Sequence, residues 1–102
     1  RVFLNPPYSN PILKHFVRRL ADHNNGIALL YARCDNKMFF EDVFNRAASI
    51  KFLCDRIYFL RPDGTKGGRP GCGSVLIAYG KECDKLLQNC NLPGKYISLS
   101  NY

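Results

Sequence analysis

The chain has 102 residues, of which 46% are hydrophobic, and its net charge is +7. That length bounds it to one small domain with a modest core, and no apolar run approaches the ~20 residues of a membrane span. The charge makes an acidic polymer a natural partner, while five cysteines without a C-x-x-C pair argue against a zinc site or a disulfide framework and read as reduced thiols of a cytoplasmic protein.

In chain order, Val2-Phe3-Leu4 reads as a short buried strand. After it, Asn10 suits a helix cap and Pro11 the first helical position. Ile12, Leu13, Phe16, Val17 and Leu20 then recur at helical spacing, with Lys14, His15, Arg18 and Arg19 between them. Asn24-Asn25-Gly26 ends that helix. The unbroken apolar run from Ile27 to Ala32 suits a central parallel strand covered on both faces. Asp35 or Asn36 caps a second helix whose apolar positions are Phe39, Phe40, Val43, Phe44 and Ala47.

Ile50 to Leu53 and Arg56 to Leu60 predict strand pieces, broken near Cys54-Asp55. Arg61 to Gly73 is too polar and too glycine-rich for core and reads as a mobile loop. Ser74 to Tyr79 is the last strong strand, Cys83 to Gln88 a short helix, and Tyr96 to Leu99 a final extended piece. Strands alternating with helices predict an α/β sheet in one domain spanning 1–102.

The segment richest in chemistry is Asn5-Pro6-Pro7-Tyr8, set where the first strand stops and a helix begins. Open α/β sheets bind ligands at such junctions. Consecutive prolines stiffen the corner and remove two N–H donors, leaving acceptors. The exocyclic amine of a purine is a poor nucleophile, because its lone pair is delocalised into the ring. Acceptors on its two N–H bonds, the Asn5 side-chain oxygen and the Pro6 carbonyl, would pull the nitrogen toward tetrahedral geometry. Tyr8 offers a ring on which an extruded base can stack.

This motif resembles the catalytic motif of the phage-type DNA N6-adenine methyltransferases, which use S-adenosylmethionine. Leu30-Tyr31-Ala32-Arg33-Cys34-Asp35, Ile57-Tyr58-Phe59, the run from Gly73 to Gly80 and Pro93-Gly94-Lys95-Tyr96-Ile97 are similar to that family in the same order. The resemblance implies a partial Rossmann-like methyltransferase sheet, mostly parallel with one antiparallel strand and flanked by helices. It also implies that the last strong strand inserts antiparallel between its neighbours. Asn5, Pro6, Pro7 and Tyr8 become the catalytic residues, S-adenosylmethionine the methyl donor and DNA the partner. RNA or a protein glutamine presents a similar planar amine, and a non-catalytic nucleic-acid-binding remnant is a further alternative.

The family's acidic or Gly-rich turn for the cofactor lies ahead of this motif, so the chain reads as the catalytic half with the cofactor-binding half missing upstream, and the 102 residues alone are expected to be inactive. Gly64 to Gly73 is not a G-x-G-x-x-G turn between strand and helix. An uncovered edge at Val2 to Leu4 would invite self-association. Within the basic loop, Arg61, Lys66 and Arg69 are the candidate phosphate contacts. Arg33 and Asp35 fall at the carboxyl end of the central strand, on the same sheet edge as Asn5, where they could orient a flipped base or contact a backbone, but the favoured expectation is a helix cap for Asp35 and a local ion pair for Arg33. His15 and His23 lack a nearby third ligand, which argues against a metal.

Overall fold

The computed structural model describes residues 2–5, 12–54 and 73–101. Strand β1 (Val2–Leu4) leads to helix α1 (Ile12–His23), β2 (Gly26–Tyr31), a π-helix (Phe39–Phe44), β3 (Ser49–Leu53), β4 (Ser74–Tyr79), α2 (Lys81–Gln88) and β5 (Gly94–Ser98). The strands form one five-stranded sheet in the order β1-β2-β4-β3-β5.

Strand directions correct the expected sheet. Among the described residues only β1 and β2 pair in parallel, whereas β2–β4, β4–β3 and β3–β5 are all antiparallel. The sheet is therefore mixed and not the mostly parallel Rossmann-like sheet that the resemblance implies. Continuous apolar runs such as Ile27 to Ala32 report cover on both faces, and that cover carries no information on direction. Strand β4 does lie antiparallel between β2 and β3.

Both faces are covered, as those runs require. On one side, Ala28, Leu30, Ile50, Val75, Ile77 and Tyr79 meet Val17, Leu20 and Ala21 of α1 and Phe39 and Val43 of the π-helix. On the other, Leu29, Leu76 and Ala78 meet Cys83 and Leu87 of α2. Alternate residues of β4 thus feed two cores, and all six are buried.

Strand β1 departs from the buried strand its composition suggests. It lies at the sheet edge, Phe3 is 65% exposed and Val2 is also exposed. The edge is joined to the turn before β2 by the Val2 N–H, which donates to the Asn25 carbonyl at 3.1 Å. Gly26 is required there, since a Cβ would fall 2.7 Å from the Val2 carbonyl oxygen and 2.5 Å from Leu20 Cδ1. Asn24 ends α1 in the left-handed region, at φ 55°.

The second helix forms with a wider winding than expected. Asn45 N–H bonds to the Phe40 carbonyl at 3.3 Å, a step of five residues. Asn36 is the residue that begins it, its Oδ1 accepting from the Phe39 N–H at 2.8 Å. At the other end, Asn101 Nδ2 donates to the carbonyls of Phe44 and Ala47 at 2.9 and 3.0 Å. Of the aromatic residues at the apolar positions expected for this helix, Phe39 is buried and Phe44 partly so, but Phe40 is exposed. The expected strand piece Arg56 to Leu60, the Asn10 cap and Pro11 lie outside the described residues.

A polar network fastens the last strand. The Tyr96 hydroxyl donates to Asp84 Oδ1, and Gln88 Nε2 reaches Asp84 Oδ2 at 3.3 Å and the Tyr96 oxygen at 3.1 Å. Lys51, buried on β3, donates from Nζ to the Cys90 carbonyl at 2.8 Å, which satisfies a carbonyl just past α2.

Candidate functional site

Asn5 directly follows β1 and is exposed at the carboxyl end of that strand. Leu4 stands beside Ala28, and β2 continues to Tyr31. At the ~3.3 Å per residue of a strand, β2 overhangs the end of β1 by about 10 Å. The overhang is secured by β4, since Tyr31 pairs with Ser74 and the Ala32 N–H donates to the Gly73 carbonyl at 2.9 Å. The result is a step in the sheet edge, with Asn5 at its foot and Tyr31 to Arg33 along its rise.

The rise carries an aromatic–cationic pair. The Arg33 guanidinium carbon lies 5.9 Å from the centroid of the Tyr31 ring. Asn36 Nδ2 donates to the Arg33 carbonyl at 2.8 Å while its Oδ1 begins the π-helix. One asparagine therefore both caps the helix and clips the backbone of Arg33. Of the two residues expected to cap the helix, Asp35 or Asn36, it is Asn36 that does so, and in place of the expected local ion pair Arg33 lies over a ring and makes no ion pair among the described residues.

Cys34, next along, is a poor nucleophile. Burial pushes its thiol up from the usual cysteine range, and the Asp35 carboxylate adds to the effect. A thiol held protonated cannot serve as the attacking group at neutral pH.

Of the other residues the sequence singled out, Pro6, Pro7 and Tyr8 of the motif and Arg61, Lys66 and Arg69 of the basic loop lie outside the described residues. His15 and His23 are exposed on α1, and among the described residues no group of three metal-ligating side chains comes together.

A cradle for a sulfonium nucleoside is also not found among the described residues. Gly80, the glycine between β4 and α2, has φ +88°, yet the space its Cβ would take is filled by the Asn24 carbonyl oxygen. That turn serves chain packing and offers no room for a ligand. Compared with protein-family models, curated proteins and solved structures, the chain matches none.

A second concavity lies where α1, the π-helix and the C-terminal segment converge. This open polar groove of about 560 Å³ is lined by residues including Asp22, Asn24, Arg46, Ser100 and Asn101. Its charged groups are already engaged with each other, Arg46 with Asp22 at 2.7 Å and with Asp42 at 3.7 Å. Asn101 is committed to the carbonyls of the π-helix. Its chemistry is that of a structural joint.

Sequence reasoning passed over Asn36 as the clip on Arg33 and Asn101 as the far cap. The Asn36 signal was present, because an Asn three residues before an apolar helical run is a cap pattern. No local signal could have found Asn101, whose partners lie more than 50 residues away.

Proposed function

We propose that this chain carries the acceptor side of an S-adenosylmethionine-dependent DNA methyltransferase acting on adenine N6, in a cytoplasmic setting. The observation that supports this most directly is the placement of Asn5. It is exposed immediately after a parallel-paired strand, at the carboxyl end, where an α/β sheet receives its ligand. No helix of the described residues is long and apolar enough to cross a membrane.

The chemistry asked of this corner is modest and specific. An amide oxygen accepts a hydrogen bond from the amine without competing for its proton. With a second acceptor at the Pro6 carbonyl, it draws electron density back onto the nitrogen as the new bond forms. A neutral Asn suffices, because the amine loses its proton only after it has become positively charged. The net charge of +7 favours a polyanion as the bearer of that amine. The methyl group itself is supplied by the donor, for which the described residues provide no cradle, so the proposal rests on the acceptor side.

The deciding measurement is label transfer from tritiated S-adenosylmethionine to mixed-sequence duplex DNA, by the protein expressed from its native reading frame. Label recovered as N6-methyladenine, and lost in Asn5→Ala, is the expected result. Label in RNA or in protein glutamine, with none in DNA, would move the substrate class. No transfer to any acceptor would overturn the reading.

A further inference from the structure

We propose that Arg33 is a nucleic-acid contact, reaching a backbone phosphate beside the corner that Asn5 begins. This inference rests on the nucleic-acid reading above and deepens it by naming a residue outside both the proline-rich motif and the basic loop.

Three observations carry it. The first is position: Arg33 lies two residues beyond the end of β2, on the rise of the step whose foot is Asn5. On the nucleic-acid reading, a base presented at Asn5 would bring its neighbouring phosphates near that rise. The second is rigidity. The backbone on one side of Arg33 is held by the Ala32 N–H to Gly73 carbonyl bond, and its own carbonyl is held by Asn36. Asn36 is in turn fixed to the start of the π-helix through Phe39. A side chain rooted on such a backbone loses little freedom on contact.

The third is the state of the guanidinium. Its carbon lies over the Tyr31 ring, 5.9 Å from the centroid, a cation–π contact that calls on no carboxylate. Arg18 and Arg46 differ sharply, since the first pairs with Glu41 and Asp42 and the second with Asp22 and Asp42. Among the described residues no carboxylate comes within ion-pair distance of Arg33, although Asp35 is two residues away and exposed. A guanidinium with no carboxylate partner among the described residues is suited to bidentate capture of a phosphate.

The test is fluorescence anisotropy of a labelled mixed-sequence duplex, titrated with the protein at several salt concentrations. Arg33→Gln is expected to weaken binding by about three- to tenfold and to lower the slope of log K against log salt by about one. Arg33→Lys keeps the charge but loses the stacked fork, so it is expected to preserve the slope while still weakening binding. Arg19→Gln, which removes an equal charge from the exposed side of α1, is the control and is expected to change the slope less. Urea midpoints of all variants establish that each is folded.

Wild-type affinity and slope in Arg33→Gln would overturn the contact, as would an identical response in Arg19→Gln or no binding by the wild type at low salt. Label transfer by the same variants expressed from the native reading frame separates this from the catalytic reading. Binding that depends on Arg33 without transfer by that protein would leave the contact standing and remove the methyltransferase. Transfer with binding indifferent to Arg33 would do the reverse.

Discussion

The hydroxyl of Tyr79, fully buried at the end of β4, donates a hydrogen bond to the backbone carbonyl of Asp42 inside the π-helix. This bond joins the central strand to the element that leads away from Arg33, and it places a polar contact in the larger of the two cores. Asp42 itself is buried, with Arg18 at 3.6 Å and Arg46 at 3.7 Å flanking its carboxylate. The widened turn is thus held from within by a tyrosine and from without by two arginines.

Tyr79→Phe deletes the donor and leaves the Asp42 carbonyl buried without that partner. Losing one side of a buried hydrogen bond costs about 1–3 kcal/mol. The expected result is a lower urea midpoint with an unchanged denaturant slope. Stability equal to wild type would show that water or another donor takes over the carbonyl.

The same tyrosine sets an alkaline limit. Burial pushes the Tyr79 hydroxyl well above the ordinary tyrosine range, the Asp42 charge adds to this and Arg46 opposes it. Tyr96 is raised as well, first by burial and then by its hydrogen bond to Asp84. Both groups therefore hold their protons more tightly folded than unfolded. Their stability contribution is complete below the unfolded pKa of about 10 and is lost as pH rises toward the folded values. Urea melts between pH 8 and 11 are expected to show stability falling above about pH 10, less steeply in Tyr79→Phe. An identical fall in that variant would place the loss on other groups.

Gly80→Ala tests how closely the loops are packed at the amino end of β2. The glycine has φ +88°, and a Cβ there would run into the Asn24 backbone oxygen. An L-residue at such a position with no room for its side chain is expected to lose more than about 1 kcal/mol. The check is the urea midpoint, and a neutral substitution would mean that the Asn24–Asn25 turn moves freely away.

Much of this fold was legible in the chain, and the failures have common physical causes. Ser74 to Tyr79 read as a strong strand from its mostly apolar run, and all six residues are buried. Val2-Phe3-Leu4 is equally apolar yet exposed, since cover depends on what neighbours supply and three residues cannot report that. Strand direction was lost for the same reason, as apolar runs encode cover alone. Phe39 and Val43 sit four apart and suit an α-helix, so the extra residue in the winding left no trace in the pattern. At the site, Asn5 was readable from its place after a strand. The engagement of Arg33 was not, because a ring two residues away competes with any carboxylate and local sequence does not rank them.

The exposed β1 edge carries a further consequence. Among the described residues β1 pairs on one side only, and with Phe3 exposed and no charge within the strand its outer edge lacks the usual protection against edge pairing. The isolated 102-residue chain is expected to associate with itself as concentration rises, and Phe3→Lys to reduce that association. Sedimentation velocity over a hundredfold concentration range is the measurement. A monomer throughout, in both proteins, would show that the edge is protected in solution.

The catalytic assignment stands or falls on Asn5 and Tyr8 together. Asn5→Ala removes an acceptor used mainly as the amine becomes cationic, so methyl transfer is expected to fall by about a hundredfold or more. Because Asn5 is exposed, the substitution should leave the urea midpoint near wild type. Tyr8→Phe keeps a stacking face and is expected to retain most activity, whereas Tyr8→Ala should lose about 1–3 kcal/mol of base binding. The contrast between the two Tyr8 variants separates a ring that stacks from one that merely fills space. Equal activity for both, alongside undiminished transfer in Asn5→Ala, would remove the chemistry from this corner of the sheet.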